Sequence, residues 1–187
     1  MEDADFLFGG YTGEGVQQFH DAAIALFTDL DDYTGNDTRY FILGNYESAR
    51  ERETPKDRLT AVRDKINEDI PDARAFLLDD LDETNERWVN FYLKFRYTLI
   101  GTNYVLLVAE DNDGGHELEL GEVPLADTYV FKRDYRDVSI DSDIEYEKFD
   151  AMIATLFETM AENNRLARWT TTDELLESVR ETVDETL

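Results

Sequence analysis

The strongest constraint on the fold is a series of short apolar segments separated by amphipathic helical patterns. The clearest apolar run is Tyr104–Ala109, and shorter runs cover residues 39–43, 73–78 and 128–131. Strands that are apolar along their whole length are buried on both faces, as in parallel sheets covered by helices. The pattern therefore predicts a three-layer α/β fold with a four- or five-stranded, mostly parallel sheet.

Helix signals fall between and after these runs. Thr54 is a preferred N-cap residue, and Pro55 suits the first helical position, where its missing N–H costs nothing. Gly101 is placed to end a second helix. Residues 171–174 (TTDE) have the sequence of a capping box and predict a last helix. An apolar stripe predicts that the second helix buries the side chains of Trp88, Phe91, Tyr92, Phe95 and Leu99.

These elements divide the chain into three parts. Residues 1–38 are expected to form a largely helical N-terminal extension. Residues 39–140 are expected to form an α/β core, and residues 141–187 a helical C-terminal extension packed on it. Trp169 is expected to pack the turn between the two helices of this extension.

Acidic residues dominate the charge of the chain. There are 44 acids and 18 bases in 187 residues, the net charge is −26, and the acids are spread from end to end. Such a dispersed excess predicts a hydrated acidic surface whose self-repulsion is screened by molar salt. We therefore expect a cytoplasmic protein of a salt-accumulating halophile, with an archaeon as the first interpretation. An acidic mesophilic protein, such as a DNA mimic, is the alternative.

Composition also argues against several classes of function. The acid excess and the lack of a Lys/Arg stripe disfavour nucleic-acid binding. The chain has no Cys and two His, so neither thiolate chemistry nor a His-rich metal site is expected, and no cofactor is expected either. No apolar stretch approaches transmembrane length, and the N-terminus lacks the basic start of a signal peptide, so no membrane partner is expected.

An acidic, glycine-containing loop follows the apolar run Tyr104–Ala109. Within it stands Asp113-Gly114-Gly115-His116-Glu117-Leu118-Glu119-Leu120-Gly121. This segment resembles the D-x-G-x-x-x-E-[LI]-G motif of nucleoside 2-deoxyribosyltransferases and related N-ribosyl hydrolases. Two weaker features of that family also have counterparts, namely Gly44-Asn45-Tyr46 after the first strand and Asp79-Asp80 after the second. The resemblance covers roughly residues 39–135.

The resemblance implies a flavodoxin-like fold and cleavage or transfer at an N-glycosidic bond of a nucleoside, a nucleotide or NAD. Glu119 would be the catalytic nucleophile on the anomeric carbon, because a carboxylate can capture an oxocarbenium-like centre. Asp113, together with Asp79 or Asp80, would handle the nucleobase and its proton. The implied substrate-binding residues are Gly44, Asn45, Tyr46, Asp79, Asp80, Gly115 and Gly121.

Two departures from the family pattern keep alternatives open. Pro124 limits the helix after Glu119 to a short one, and Asn45 stands where the family often has proline. The alternation of polar and apolar residues over 116–120 also fits the second strand of a hairpin, in which Glu119 would be solvated. The alternative functions are a nucleotide sensor without turnover and a structural protein that forms a homo-oligomer through its C-terminal helices.

Overall fold

Five parallel strands form a single sheet. The computed structural model describes residues 21, 24, 38–46, 54–81, 91–110, 121–134 and 151–187. Its strands are β1 (Thr38–Gly44), β2 (Ala73–Phe76), β3 (Tyr104–Ala109), β4 (Thr128–Arg133) and β5 (Leu166–Trp169). Their order across the sheet is β2-β1-β3-β4-β5, and every adjacent pair is parallel.

Helices cover both faces of the sheet. Among the described residues, the helices that pack on the sheet are α1 (Pro55–Asp69), α2 (Phe91–Ile100), α3 (Ala151–Glu162) and α4 (Thr172–Thr186). Side chains of α1 and α4 share one buried cluster with one face of the strands, and side chains of α2 and α3 share a second cluster with the other face. Three layers with this strand order make the fold flavodoxin-like, as the sequence predicted.

The alternation of side chains along the strands divides the core into these two clusters. In β1, Tyr40 and Ile42 face α1 and α4, whereas Phe41 and Leu43 face α2 and α3. The strands are therefore apolar on both faces, which explains their continuous hydrophobic runs. Helix α1 buries the predicted stripe Leu59, Val62 and Ile66, and α4 buries Leu175, Val179 and Val183.

The predicted helix caps are confirmed. The Thr54 hydroxyl accepts a hydrogen bond from the Asp57 N–H at 3.2 Å, and the Asp57 carboxylate accepts one from the Thr54 N–H at 2.8 Å. Thr171 and Glu174 form the same reciprocal pair at the start of α4. Gly101 follows the end of α2, where its N–H donates to the Tyr97 and Thr98 carbonyls. Local sequence chemistry thus sets where these helices begin and end.

Several local expectations were wrong. Trp169 does not lie in a turn between two helices, because it ends β5, a strand inside the segment expected to be a helical extension. Strand β2 stops at Phe76, two residues early, because a 3₁₀ turn over Leu78–Asp80 follows it. Tyr92 was expected in the core, but it is 48% exposed on α2. Phe95, on the same helix, is buried as expected.

Part of the predicted organisation lies outside the described residues. Of the expected N-terminal extension, residues 1–38, only Asp21 and Ile24, which are helical, and Thr38, which begins β1, are described. Trp88 of the expected aromatic stripe is also outside the described residues. No helix among the described residues combines the length and the apolar character needed to cross a membrane.

Candidate ligand site at the carboxyl edge of the sheet

The strand order places a switch point between the carboxyl ends of β1 and β3, where open α/β sheets form a binding crevice. From β1 the chain moves outward to β2 and then returns to the other side of β1 to form β3. The connections that leave β1 and β3 therefore run in opposite directions across the sheet, and ligands of open α/β sheets bind at such a switch point. Gly44 pairs in register with Val108, so the segments after β1 and β3 start next to each other.

The predicted residues Gly44, Asn45 and Tyr46 lie at the carboxyl end of β1, beside this switch point, but they are largely packed. Gly44 touches the neighbouring elements so closely that a β-carbon would lie 2.7 Å from Leu59 Cδ2 and 2.9 Å from the Val108 carbonyl oxygen. Asn45 is buried, with 7% exposure. The ring of Tyr46 packs against the α1/α4 cluster and carries the Lys56 ammonium 5.5 Å from its centroid. Gly44 is therefore needed for the close approach of α1 to the sheet.

Asp79 and Asp80 lie at the same edge, on the far side of β1 from the crevice. Asp79 forms a partly exposed ion pair with Lys56 at 2.8 Å. Asp80 accepts a hydrogen bond from the Leu77 N–H at 2.8 Å and one from the Arg63 guanidinium at 2.6 Å. Both carboxylates are thus bound to basic side chains, and Asp80 also caps the turn that follows β2.

A buried carboxylate lies directly beyond the end of β3. Glu110 is 2% exposed and accepts hydrogen bonds from Arg58 Nε at 2.8 Å and Arg58 Nη2 at 2.5 Å. Arg133, at the end of β4, donates to the same carboxylate at 3.0 Å. We call Arg58, Glu110 and Arg133 the edge triad. The two-point contact from Arg58 is the geometry that makes arginine–carboxylate pairs strong and directional.

Trp169 joins the edge triad to β5. Its indole centroid lies 5.9 Å from the Arg58 guanidinium carbon and 5.4 Å from that of Arg133, and its N–H donates to the Phe131 carbonyl at 2.9 Å. Cations over an indole face gain electrostatic attraction in addition to packing. The cluster therefore ties α1, β3, β4 and β5 together at the carboxyl edge.

Carboxylates of the protein itself occupy the N-termini of α1 and α4, the helices that follow β1 and β5 at this edge. Hydrogen bonds from the Thr54 backbone, and then from its hydroxyl, lower the pKa of Asp57 at the start of α1. Hydrogen bonds from the Thr170 hydroxyl, and then from the Thr170 and Thr171 N–H groups, lower the pKa of Glu174 at the start of α4. The donors that helix N-termini commonly offer to a bound anion are here used within the chain.

The predicted catalytic residues Asp113 and Glu119, together with Gly115, lie outside the described residues. Gly121 is helical, and a β-carbon placed on it would meet nothing within 4 Å, so close packing does not require glycine there. The neighbouring Glu122 is the last helical residue before Pro124 and forms an ion pair with Arg96. The predicted stop at Pro124 is therefore confirmed.

Both edges of β3 are already paired with other strands, which bears on the alternative in which residues 116–120 form a hairpin with β3. Residues of β3 pair with β1 on one side and with β4 on the other, and both pairings are parallel. A strand that folded back antiparallel onto β3 would have to displace one of them. Residues 116–120, on which the hairpin alternative rests, lie outside the described residues.

Sequence reasoning did not identify Arg58, Glu110, Arg133 and Trp169 as one cluster. Two signals were available. Arg58 stands four residues before Val62, so it shares the buried face of α1, and Glu110 is the first charged residue after a fully apolar strand. Charged residues are seldom fully buried unless they are paired, so a charge at such positions indicates a partner elsewhere.

Within the described ranges, no group of three or more His, Asp or Glu side chains is arranged to hold a metal ion.

The model of a protein family described as a family of unknown function (DUF8170) matches residues 15–186. The chain belongs to this family. No curated protein and no solved structure matches the chain. Membership covers nearly the whole chain and carries no assigned activity, so a function has to be argued from the site.

Proposed function

We propose that this protein binds a nucleoside or nucleotide in the crevice between β1 and β3 and cleaves its N-glycosidic bond, or transfers its deoxyribosyl group, through Glu119. One observation carries the proposal. The motif from Asp113 to Gly121 follows β3 in the sequence, and the end of β3 adjoins the end of β1 at the switch point of a flavodoxin-like sheet. That is the position at which such sheets bind ligands.

The proposed chemistry needs two carboxyl groups with different roles. The Glu119 carboxylate attacks the anomeric carbon, the bond to the base breaks, and the base leaves with a proton supplied by Asp113. Water or a second base then releases the sugar from Glu119. Glu110, Asp79 and Asp80 already bind arginine or lysine, which supports assigning both roles to Asp113 and Glu119.

The same ion pairs also favour a second candidate function, a nucleotide sensor without turnover. The described carboxylates nearest the crevice are fixed by bases, and fixed groups can position a ligand without exchanging protons with it. In this version Asn45 and Tyr46 contact the ligand, and no bond breaks. The two candidates predict the same location of the ligand and differ only in whether free base appears.

The test is a substrate screen in molar KCl with nucleosides, nucleoside monophosphates and NAD, in which liquid chromatography detects free base. We expect release of base by the native protein and a loss of at least about 100-fold in Glu119→Gln. Glu117→Gln is the matched control, since it makes the same change two residues away and should retain activity. Release that is unchanged in Glu119→Gln would sink the catalytic proposal. Calorimetric binding of an intact ligand without release would favour the sensor.

A further inference from the structure

The outer edge of β2 is filled by groups from its own chain. Among the described residues, β2 pairs with β1 on one side and lies at the end of the sheet on the other. Alternate residues of a strand direct their backbone groups to opposite sides. Asp72, just before β2, turns its carbonyl toward β1 and accepts from the Thr38 N–H at 2.9 Å. The backbone N–H and C=O groups of Ala73, Ala75 and Leu77 therefore point to the outer side.

Asn67 of α1 pairs with Ala75 as a neighbouring strand would. Its side-chain Nδ2 donates to the Ala75 carbonyl at 2.9 Å, and its Oδ1 accepts from the Ala75 N–H at 2.8 Å. A side-chain amide carries one donor group and one acceptor group, as a backbone peptide does. The single half-buried Asn67 side chain therefore satisfies both outward groups of the central residue of this edge.

The remaining outward groups also have partners within the chain. The Ala73 N–H donates to the Ile70 carbonyl at 3.3 Å, and the Ala73 carbonyl accepts from the Arg74 guanidinium at 2.7 Å. The Leu77 N–H donates to the Asp80 carboxylate at 2.8 Å. From the Ala73 N–H to the Leu77 N–H, this edge is thus hydrogen-bonded along its length, apart from the groups that face β1.

One row of α1 organises this closure. Arg63 and Asn67 are four residues apart and therefore lie on the same side of the helix. Asn67 binds Ala75 directly, and Arg63 holds Asp80 at 2.6 Å in position to cap Leu77. The adjacent row of α1, with Val62 and Ile66, packs on the face of the sheet. Helix α1 therefore covers both the face and the edge of the sheet at β2.

An uncovered strand edge is a template for pairing with another chain. We infer that Asn67, supported by the Arg63–Asp80 pair, closes β2 against strand pairing with a second copy of this chain. A second copy is the natural competitor, because two identical edges can pair antiparallel across a two-fold axis. Association of the native protein must then use a surface other than the β2 edge.

The test replaces Asn67 by residues that differ in hydrogen bonding. Asn67→Leu keeps a similar size and removes both hydrogen bonds. Asn67→Asp, the matched control, keeps an acceptor for the Ala75 N–H and adds a charge that opposes strand pairing. Light scattering after size exclusion in molar KCl should show the mass of Asn67→Leu rising with concentration to about twice that of the native protein, while Asn67→Asp keeps the native mass. A folded Asn67→Leu with native mass at every concentration would overturn the inference.

A measurement on the native protein covers the case in which Asn67→Leu does not fold. The amides of Ala75 and Leu77 should exchange with deuterium at least about tenfold more slowly than in an unstructured peptide, in dilute protein as well as in concentrated protein. Exchange at the unstructured rate would show that the edge is open. Protection that disappears on dilution would show that a second copy supplies it, which also contradicts the inference.

Discussion

Replacing Glu110 by Gln tests the edge triad most severely, because the change removes a buried charge without changing the size of the side chain. The Arg58 and Glu110 side chains are each 3% exposed, and Arg133 is 22% exposed. In Glu110→Gln an NH₂ group replaces one carboxylate oxygen. It then faces guanidinium donors, and two arginine charges lose the anion that they share. The folded protein keeps the Arg58 charge out of water and leaves the Arg133 charge only partly exposed, whereas the unfolded chain solvates both.

The expected loss is large for a single isosteric change. Removing one partner of a buried ion pair costs about 3–5 kcal/mol, since the remaining charge stays buried without compensation. The remaining amide oxygen of Gln still accepts one hydrogen bond, which places the estimate near the lower end, at about 3 kcal/mol. Glu122→Gln is the control. It breaks an ion pair with Arg96 in which both side chains are about one-third exposed (31% and 32%), so it should cost about 0–1 kcal/mol.

Urea unfolding at a fixed molar KCl concentration measures both values, because urea leaves the ionic strength unchanged. The double variant Arg58→Met with Glu110→Gln adds a second test. It removes one of the two charges that lose Glu110 as a partner, so it should lose less stability than the sum of the two single variants. A Glu110→Gln protein within about 1 kcal/mol of native, or no more destabilised than Glu122→Gln, would refute the account of the triad.

Three further perturbations test other parts of the structure. Gly44→Ala should cost about 1–3 kcal/mol in urea unfolding, since the new methyl group would meet the Val108 carbonyl at 2.9 Å; unchanged stability would contradict the close packing of α1. Because the folded-state pKa values of Asp57 and Glu174 are lowered, their hydrogen bonds stabilise the fold above the ordinary values of 3.8 and 4.5. That stability is lost as pH falls through the lower folded pKa. The difference in stability between the native protein and Asp57→Asn should therefore shrink on acidification, and a difference independent of pH would count against the caps. Finally, with a net charge of −26 the melting temperature should rise between low and molar KCl; a flat response would count against the expectation of a halophilic protein.

Much of the fold could be predicted because its signals are local. The apolar run Tyr104–Ala109 and the capping sequence at Thr54 each depend on residues within one element, and both were interpreted correctly. β5 was missed for a physical reason. It is a four-residue strand at the edge of the sheet, and only its last residue, Trp169, is buried, so it has no apolar run.

The edge triad could not be derived in the same way. Glu110 is 52 residues from Arg58 and 23 from Arg133, and the strand order brings them together. The sequence indicates that Arg58 and Glu110 stand at buried positions, but which charges pair with each other follows only from the strand order. By contrast, Asn45 and Tyr46 were assigned to a substrate site by the resemblance to deoxyribosyltransferases, and their place at the carboxyl edge follows from their position directly after a parallel strand, whatever the strand order. The roles of Asp113 and Glu119 stay predictions.

The proposed function places a bound nucleoside or nucleotide at the carboxyl edge of the sheet, between β1 and β3. An NMR titration of the isotope-labelled protein in molar KCl tests it most directly, with the ligand that the substrate screen identifies. The account predicts that the amides of Asn45, Tyr46 and Glu110 shift on binding, whereas those of Asn103 and Thr128, at the opposite edge, do not. Shifts confined to Asn103 and Thr128, or no shifts with any nucleoside, nucleotide or NAD, would contradict it.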